Sequence, residues 1–147
     1  MYITFSVEGK PVGKERPRFT RNGHTYTPAK TRAAEEAVQW AYKAKYGETK
    51  FEKGIPIRIE ILSFFQIPKS DSKAIKELKI QGGIKPTKKP DVDNIAKLIC
   101  DALNGIAYDD DSQIVELYIK KCYTKCAPES LVSIAEADWR GQTAKGG

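Results

Sequence analysis

Residues 89–113 of this 147-residue chain read KPDVDNIAKLICDALNGIAYDDDSQ, and this stretch decides the fold. Its apolar residues follow the spacing i, i+3, i+4, i+7, i+8, at Ile95, Leu98, Ile99, Ala102 and Leu103. That spacing predicts a helix over Asp93–Asn104 with one stripe facing a core. The pair Asn104-Gly105 is typical of a helix end.

The same stretch gathers six aspartates, at Asp91, Asp93, Asp101, Asp109, Asp110 and Asp111. Because ionised carboxylates repel one another, such a cluster usually needs a cation that holds it together. Asp93, Lys97 and Asp101 are spaced i, i+4, i+8, which predicts a row on the flank opposite the apolar stripe. Asp91 stands just before the helix, where we expect Asp93 to act as the N-cap and the helix dipole to favour ionised carboxylates.

The rest of the chain predicts a single α+β domain of order βαβαββ, with a mixed sheet flanked by helices. The other helix should run from Pro28 to Tyr46, with Thr27 as its N-cap and Gly47 at its end. Alternating or β-branched residues predict the strands Tyr2–Val7, Ile55–Ile67, Ile114–Tyr123 and Leu131–Ala135. Pro56 indicates that the second of these begins at a sheet edge or outside the ladder. We expect the domain to span residues 1–138 and residues 139–147 to form a flexible tail.

The net charge of +6 is unevenly distributed. The basic loop, Lys10–Arg32, carries seven Lys and Arg against one Glu, and the lysine-rich segment, Lys69–Lys89, carries seven Lys against two acids. We predict a short helix at Ser72–Ile80 within this second segment, and mobility of the segment without a ligand. Basic arms around an acidic centre are typical of a nucleic-acid footprint around a metal site, and solvated basic faces give the same pattern.

The composition narrows the class of protein. Three cysteines in no framework spacing suggest a reducing compartment. The start of the chain lacks the features of a signal peptide, and no stretch approaches the ~20 apolar residues that span a membrane. We therefore expect a soluble, cytoplasmic protein with no membrane association.

Magnesium is the cation that best suits the aspartates. It prefers oxygen ligands and keeps several waters, so two or three carboxylates and a substrate phosphate suffice. Asp91 and Asp93 would supply two of these carboxylates, and the loop of Asp109–Asp111 would supply the third. Lys97 is either a structural counter-ion or a cation that stabilises charge developing on a cleaved phosphate.

Other sites are less consistent with the sequence. The residues after Asp93 lack the ligand and the glycine that a calcium EF-hand loop needs, and there is no phosphate-binding glycine motif. His24 is the single histidine, so we expect a surface or phosphate-contacting residue rather than a zinc ligand. We expect Cys122 and Cys126 to be ordinary strand residues rather than metal ligands. The residues alone also permit Asp93 and Asp101 to be mere caps or solvated helix residues.

The pattern Asp91-Val-Asp93-Asn94-x-x-Lys97-x-x-x-Asp101-Ala-Leu-Asn-Gly, followed by Asp-Asp-Ser-Gln, resembles the signature of the RusA family of Holliday junction resolvases. The N-terminal stretches Gly13-Lys-Glu-Arg-Pro-Arg-Phe-Thr and Thr25-Tyr-Thr-Pro-Ala-Lys-Thr-Arg are also similar to members of that family. The resemblance runs from near the start of the chain to about Gln113. These endonucleases are typical of phages and prophages in bacterial hosts.

The resemblance implies a magnesium-dependent homodimer, with Mn²⁺ as a substitute, that cuts four-way DNA junctions symmetrically. It carries the catalytic carboxylates and metal ligands onto Asp91, Asp93 and Asp111, and the catalytic lysine onto Lys97. Asp101 and Asp110 are expected in supporting roles, the register between Asp110 and Asp111 being set by the Ser-Gln that follows. The residues expected to contact DNA are Lys14, Arg16, Arg18, Arg21, Lys30, Arg32, Lys85, Lys88 and Lys89.

Two other functions stay open from the sequence. One is a non-catalytic protein that binds branched DNA, in which the carboxylates merely balance the basic arms. The other is a metal-dependent nuclease that acts on other branched or single-stranded DNA.

Overall fold

The sheet is organised around one central strand, β4 (Ile57–Gln66). In the computed structural model, which describes residues 1–137, alternate side chains of this strand are buried, at Ile57, Ile59, Ile61 and Phe65. Successive side chains of a strand point to opposite faces, so this pattern gives the sheet one core-facing side.

Four strands form the sheet in the order β1-β6-β4-β5. Their bounds are Tyr2–Glu8 for β1, Ile57–Gln66 for β4, Ile114–Thr124 for β5 and Glu129–Glu136 for β6. β4 pairs in parallel with β5 and antiparallel with β6, and β6 pairs antiparallel with β1, so the sheet is mixed as predicted. Pro56 precedes β4 and lies outside the ladder, which confirms that expectation.

Two helices, α1 (Ala29–Tyr46) and α3 (Val92–Ala102), pack against each other and join the strands in one core. Tyr42 of α1 is fully buried and meets Phe5 of β1 edge to face, with 5.6 Å between ring centroids. A third helix, α2 (Lys73–Ile80), lies against β5, within the crossover that joins the parallel strands β4 and β5. The architecture confirms the predicted α+β domain of order βαβαββ.

The start of α1 differs from the prediction, because Thr27 is not its N-cap. Pro28 occupies the cap position with extended backbone (φ −54°, ψ 143°), and the helix begins at Ala29. Proline at the cap moves Thr27 one residue outside the helix, where its carbonyl accepts a hydrogen bond from Arg32 Nη2 at 3.3 Å. The predicted end is confirmed, since Gly47 caps the helix with φ 57°.

The lysine-rich segment contains the predicted short helix. Ser72 Oγ accepts a hydrogen bond from Ile75 N at 3.3 Å and thereby caps α2. Lys79 Nζ lies 2.5 Å from Asp71 Oδ2, which ties the end of the helix to its start. These contacts hold the helix at both ends, and the expected mobility of the whole segment without a ligand stays a prediction.

Two features complete the described part of the chain. A hairpin of β2 (Arg18–Phe19) and β3 (Thr25–Tyr26) stands outside the main sheet, within the basic loop that was predicted without strands. No helix in residues 1–137 is long and apolar enough to cross a membrane. The predicted tail, residues 139–147, lies outside the described residues.

Candidate DNA-cleavage site

The helix α3 presents the predicted apolar stripe and, beside it, the predicted polar row. Five stripe residues are buried, at Ile95, Leu98, Ile99, Ala102 and Leu103. Asp93 and Lys97 are exposed, and Asp101 is half-buried. Burial of the stripe against the sheet and α1 therefore fixes the direction in which the polar row faces.

Asp91, rather than Asp93, holds the cap position of α3. Its backbone is extended (φ −73°, ψ 154°), and its carbonyl accepts the first helical hydrogen bond, from Ile95 N at 3.1 Å. The expectation that Asp93 is the N-cap is therefore wrong. Asp93 lies inside the first turn, and the side chain of Asp91 makes no capping hydrogen bond. Both residues lie at the positive end of the helix dipole, a position that attracts anionic groups.

The three residues Asp91, Asp93 and Lys97 keep their charged groups available. All three are exposed, and none of them enters an ion pair with another group in residues 1–137. Lys97 lies one helical turn from both Asp93 and Asp101, about 6 Å along the axis in each direction.

The three consecutive aspartates of the acidic loop (residues 109–113) have different surroundings. Asp109 Oδ1 lies 2.5 Å from Lys50 Nζ, and this partner holds the pKa of Asp109 below its usual range. Asp110 precedes a 3₁₀ turn (Asp111–Gln113), and its carboxylate accepts a hydrogen bond from Ser112 Oγ at 2.6 Å. That hydrogen bond lowers the pKa of Asp110. Asp109 and Asp110 are thus occupied in holding the loop.

Asp111 lies against the end of α3, and its pKa is shifted in the opposite direction from those of Asp109 and Asp110. Its backbone N–H donates to Asn104 Oδ1 at 2.8 Å, which brings the loop against the end of the helix. Partial burial raises the pKa of Asp111, and the nearby carboxylates of Asp110 and Asp101 raise it further, although Asn104 acts in the opposite direction. These surroundings distinguish Asp111 from its two neighbours and support the register with Asp111 as the functional member.

Gln113 holds the acidic loop in place, a role that the sequence did not indicate. Its buried amide oxygen accepts hydrogen bonds from Asp109 N at 3.0 Å and Asp110 N at 3.3 Å. Its amide nitrogen donates to Glu52 O at 2.9 Å and Ile55 O at 3.1 Å. The one hint of this role in the sequence is that Gln113 follows shortly after the three aspartates. Its carbonyl partners before β4 lie about 60 residues away in the chain, so local spacing could not predict them.

The basic loop is docked against the start of α3. Lys14 N donates to Asn94 O at 2.8 Å. A Cβ on Gly13 would lie 2.9 Å from Pro90 Cβ and 3.0 Å from Asn94 Cβ, so only glycine permits this approach. The Lys14 ammonium lies 3.1 Å from Glu35 Oε1 and 3.5 Å from Asp101 Oδ2. Lys14 therefore joins α1, α3 and the loop, and Asp101 supports this junction.

A basic cleft opens where the loop meets α3. It has a volume of about 390 Å³, and its lining includes Lys10, Lys14, Lys30, Lys89, Asn94 and Asp91. Asp91 and Glu15 thus share the lining of the cleft with four lysines, of which Lys14 is paired with Glu35 and Asp101. Such a cavity attracts a phosphate and holds it beside a carboxylate.

The other predicted DNA-contacting residues do not line this cleft. Arg16, Arg21, Lys85 and Lys88 are exposed, as are Arg18 and Arg32, although Arg18 lies 3.6 Å from Glu15 and Arg32 bonds to Thr27. Lys121 Nζ donates to Lys88 O at 2.6 Å and to Pro90 O at 3.0 Å, which anchors the end of the lysine-rich segment beside α3.

The three cysteines and the single histidine, all within residues 1–137, give no alternative catalytic site. Burial raises the pKa of the Cys100 thiol to about 12, so it is protonated and inert at neutral pH. Cys122 and Cys126 are free thiols on or just after β5. His24 is an exposed residue at the turn of the hairpin.

Asp91 and Asp93 match a hard divalent ion in donor type, but one chain does not assemble a full set of ligands. In residues 1–137, no three Asp, Glu, His or Cys side chains lie close enough together to hold a metal. Asp93 and Asp101 are two helical turns apart, about 12 Å along the axis, and Asp111 lies at the Asp101 end. Asp91 and Asp93 are therefore the carboxylates available to an ion beside the basic cleft, since magnesium accepts one or two together with water and phosphate.

Two comparisons with known proteins bear on the family of this chain. The chain is 39% identical over 128 residues, 84% of its length, to the uncharacterized protein YqaN of Bacillus subtilis (strain 168), of which the match covers 89%. The sequence model described as endodeoxyribonuclease RusA matches residues 8–135, which include the basic loop, α3 and the acidic loop. The chain belongs to the RusA family of endodeoxyribonucleases.

Proposed function

We propose that this protein is a magnesium-dependent endonuclease that resolves four-way DNA junctions by symmetric hydrolysis of phosphodiester bonds. The observation that carries this proposal is the position of Asp91, which lines a cleft with Lys10, Lys14, Lys30 and Lys89. Membership of an endodeoxyribonuclease family supports nuclease chemistry at this cleft.

In this proposal the lysines of the cleft bind the DNA backbone and bring one phosphate beside Asp91 and Asp93. Contacts to phosphates position the DNA without reading its sequence. Lys97, exposed next to Asp93 on α3, would stabilise the negative charge that develops on the phosphate during cleavage. Asp111 acts from the acidic loop as the third catalytic carboxylate.

Asp91 and Asp93 are the proposed magnesium ligands beside the cleft, and Mn²⁺ is expected to substitute. Asp111 is the proposed third ligand, although residues 1–137 of one chain do not bring three such side chains together. When bound, such an ion lowers the pKa of a water molecule and neutralises the leaving oxygen. The chain's own contribution is to place Asp91 and Asp93 at the helix N-terminus and to hold Asp111 against the end of α3 through Asn104.

A homodimer is the assembly that suits this substrate. Paired cuts on opposed strands of a four-way junction need two active sites related by a twofold axis. Sedimentation at working concentration should therefore give the mass of two chains. A monomer under conditions of efficient symmetric cutting would contradict this part of the proposal.

Substitution of single aspartates tests the site. We expect Asp91→Asn or Asp93→Asn to reduce junction cleavage at least ~1,000-fold, as expected for loss of a ligand essential for metal-dependent hydrolysis. Junction affinity in EDTA should stay within a few-fold of the parent value. Asp109→Asn is the matched control, since Lys50 already neutralises that carboxylate, and it should keep cutting.

The two alternative functions are separated by the choice of substrate. Four-way junction, flap, linear duplex and single strand are compared at one salt concentration, because phosphate contacts make DNA affinity strongly salt-dependent. Junction binding with no cleavage at any Mg²⁺ concentration would support the non-catalytic protein. Equal cleavage of flap or single strand would support the broader nuclease.

A further inference from the structure

The hairpin of β2 and β3 is a preformed projection outside the four-stranded sheet. Its turn is closed by Thr20 N donating to His24 O at 2.8 Å and by His24 N donating to Thr20 Oγ1 at 3.2 Å. Gly23 supplies the left-handed residue that the turn requires, with φ 79°. The hairpin is therefore held by its own hydrogen bonds and has a defined shape before any partner binds.

Two aromatic side chains of this hairpin are exposed to solvent. Phe19 is 75% exposed and Tyr26 is 45% exposed. Phe19 pairs with Thr25, and Arg18 pairs with Tyr26, so the two aromatic rings lie on opposite faces of the ribbon. A single exposed apolar side chain is common on protein surfaces, so what points to a partner is the combination of an exposed ring on a preformed hairpin with the arginines next to it in the chain.

The charges around Phe19 define the chemistry of that partner. Arg16, Arg18 and Arg21 flank Phe19 in the chain and are exposed. Arg18 projects from the face of the ribbon opposite Phe19, and Glu15 lies 3.6 Å from it. A surface that combines guanidinium groups with a bare aromatic ring suits a ligand with phosphates and flat apolar faces. Nucleic acid has both, and its bases stack on aromatic side chains when they leave the duplex.

We propose that Phe19 stacks on an unpaired or unstacked base at the branch point of the DNA and makes the protein prefer branched over linear DNA. An intact duplex hides its base faces by stacking, whereas a branch point exposes them. The arginines of the hairpin hold the flanking phosphates, and Phe19 reads the absence of stacking rather than the base sequence. This inference rests on the proposed function, because it assumes a DNA substrate.

The test compares affinities for a four-way junction and for a linear duplex of equal length, in EDTA so that no strand is cut. We expect Phe19→Ala to weaken junction binding roughly 5- to 100-fold, the range that corresponds to loss of one base–aromatic stack. Duplex affinity should change less than twofold. Phe19→Trp should restore the preference, whereas Phe19→Leu, which is apolar but not aromatic, should not.

Tyr2→Ala is the matched control, because Tyr2 is 66% exposed at the end of β1 away from the basic loop. It should leave the ratio of the two affinities unchanged, and thermal unfolding should show that all variants are folded. A preserved ratio in Phe19→Ala, or full restoration by Phe19→Leu, would overturn the inference. A junction that is bound with this preference but is never cut with Mg²⁺ would contradict the proposed nuclease alone.

Discussion

At the scale of single residues, the acidic loop depends on an amide rather than on a charge. The side-chain amide of Gln113 links the backbone N–H groups of Asp109 and Asp110 to the backbone carbonyl oxygens of Glu52 and Ile55. Removal of a buried amide leaves its hydrogen-bond partners without a bond. Each partner that water does not reach then costs about 1–3 kcal/mol of stability.

We therefore predict that Gln113→Leu lowers the free energy of unfolding by about 2–4 kcal/mol and releases the loop that carries Asp111. At a temperature where the variant is folded, its cleavage rate should fall at least ~10-fold, and half-maximal cleavage should need more Mg²⁺. Gln81→Leu, at an exposed position after α2, is the control and should change neither quantity. Cleavage by Gln113→Leu with the parent's Mg²⁺ dependence would contradict the positioning role.

The raised pKa of Asp111 has a consequence for stability. Its pKa is higher in the folded than in the unfolded chain, so the folded state binds more protons at pH values between the two. Stability from this group is therefore lost as the pH rises through that interval. We predict that Asp111→Asn, measured without metal, is more stable than the parent at pH 7 and loses this advantage in acid.

Asp109→Asn supplies a control of opposite sign. Lys50 lowers the pKa of Asp109 on folding, so its contribution to stability is present above the unfolded pKa and is lost in acid. That variant should be less stable than the parent at pH 7. Urea unfolding at pH 3 and pH 7 measures the stability of both variants. An Asp111→Asn protein that is less stable than the parent at pH 7 would refute the raised pKa of Asp111.

At the scale of secondary-structure elements, the close approach of the basic loop to α3 forms the cleft. Gly13→Ala should be strained, because its Cβ would lie 2.9 Å from Pro90 Cβ and 3.0 Å from Asn94 Cβ. We predict a loss of about 1–3 kcal/mol in unfolding free energy, the usual result of overpacking, and weaker junction binding. Gly83→Ala is the matched control, since its Cβ would meet Leu78 at an ordinary 3.5 Å. Equal stability and DNA affinity in the two variants would contradict this view of the cleft.

The elements that the sequence predicted are those with a strong apolar period. The stripe of α3 and the alternation of β4 depend on local spacing, and both were predicted to within two residues. The N-caps of α1 and α3 were misplaced by one or two residues, because Pro28 and Asp91 take extended backbone at the boundary.

Other features depend on contacts between distant residues. The hairpin of β2 and β3 has strands of two residues each, too short for any periodic signal. Lys14 was predicted to contact DNA from its place in a basic run, and its ion pairs with Glu35 and Asp101 depend on how the loop docks. For the same reason the sequence identified the aspartates but not that Asp111 docks at the Asp101 end of α3.

At the scale of the whole molecule, the fold arranges charge around one helix. The basic loop lies against the start of α3, the lysine-rich segment is anchored beside it through Lys121, and the acidic loop meets its end. Phosphates are thus attracted to the Asp91 end of α3, while Asp101 and Asp111 lie at its other end. A twofold assembly of such units would present two clefts to a branched DNA.

The decisive measurement is cleavage of a mobile four-way junction, with cut sites mapped on all four strands in Mg²⁺ and in EDTA. We predict paired cuts at symmetric positions on two opposed strands, which disappear in EDTA and in Asp91→Asn. Unpaired nicks at equal rates on junction and linear duplex, or a junction that is bound but stays intact in Mg²⁺, would contradict it.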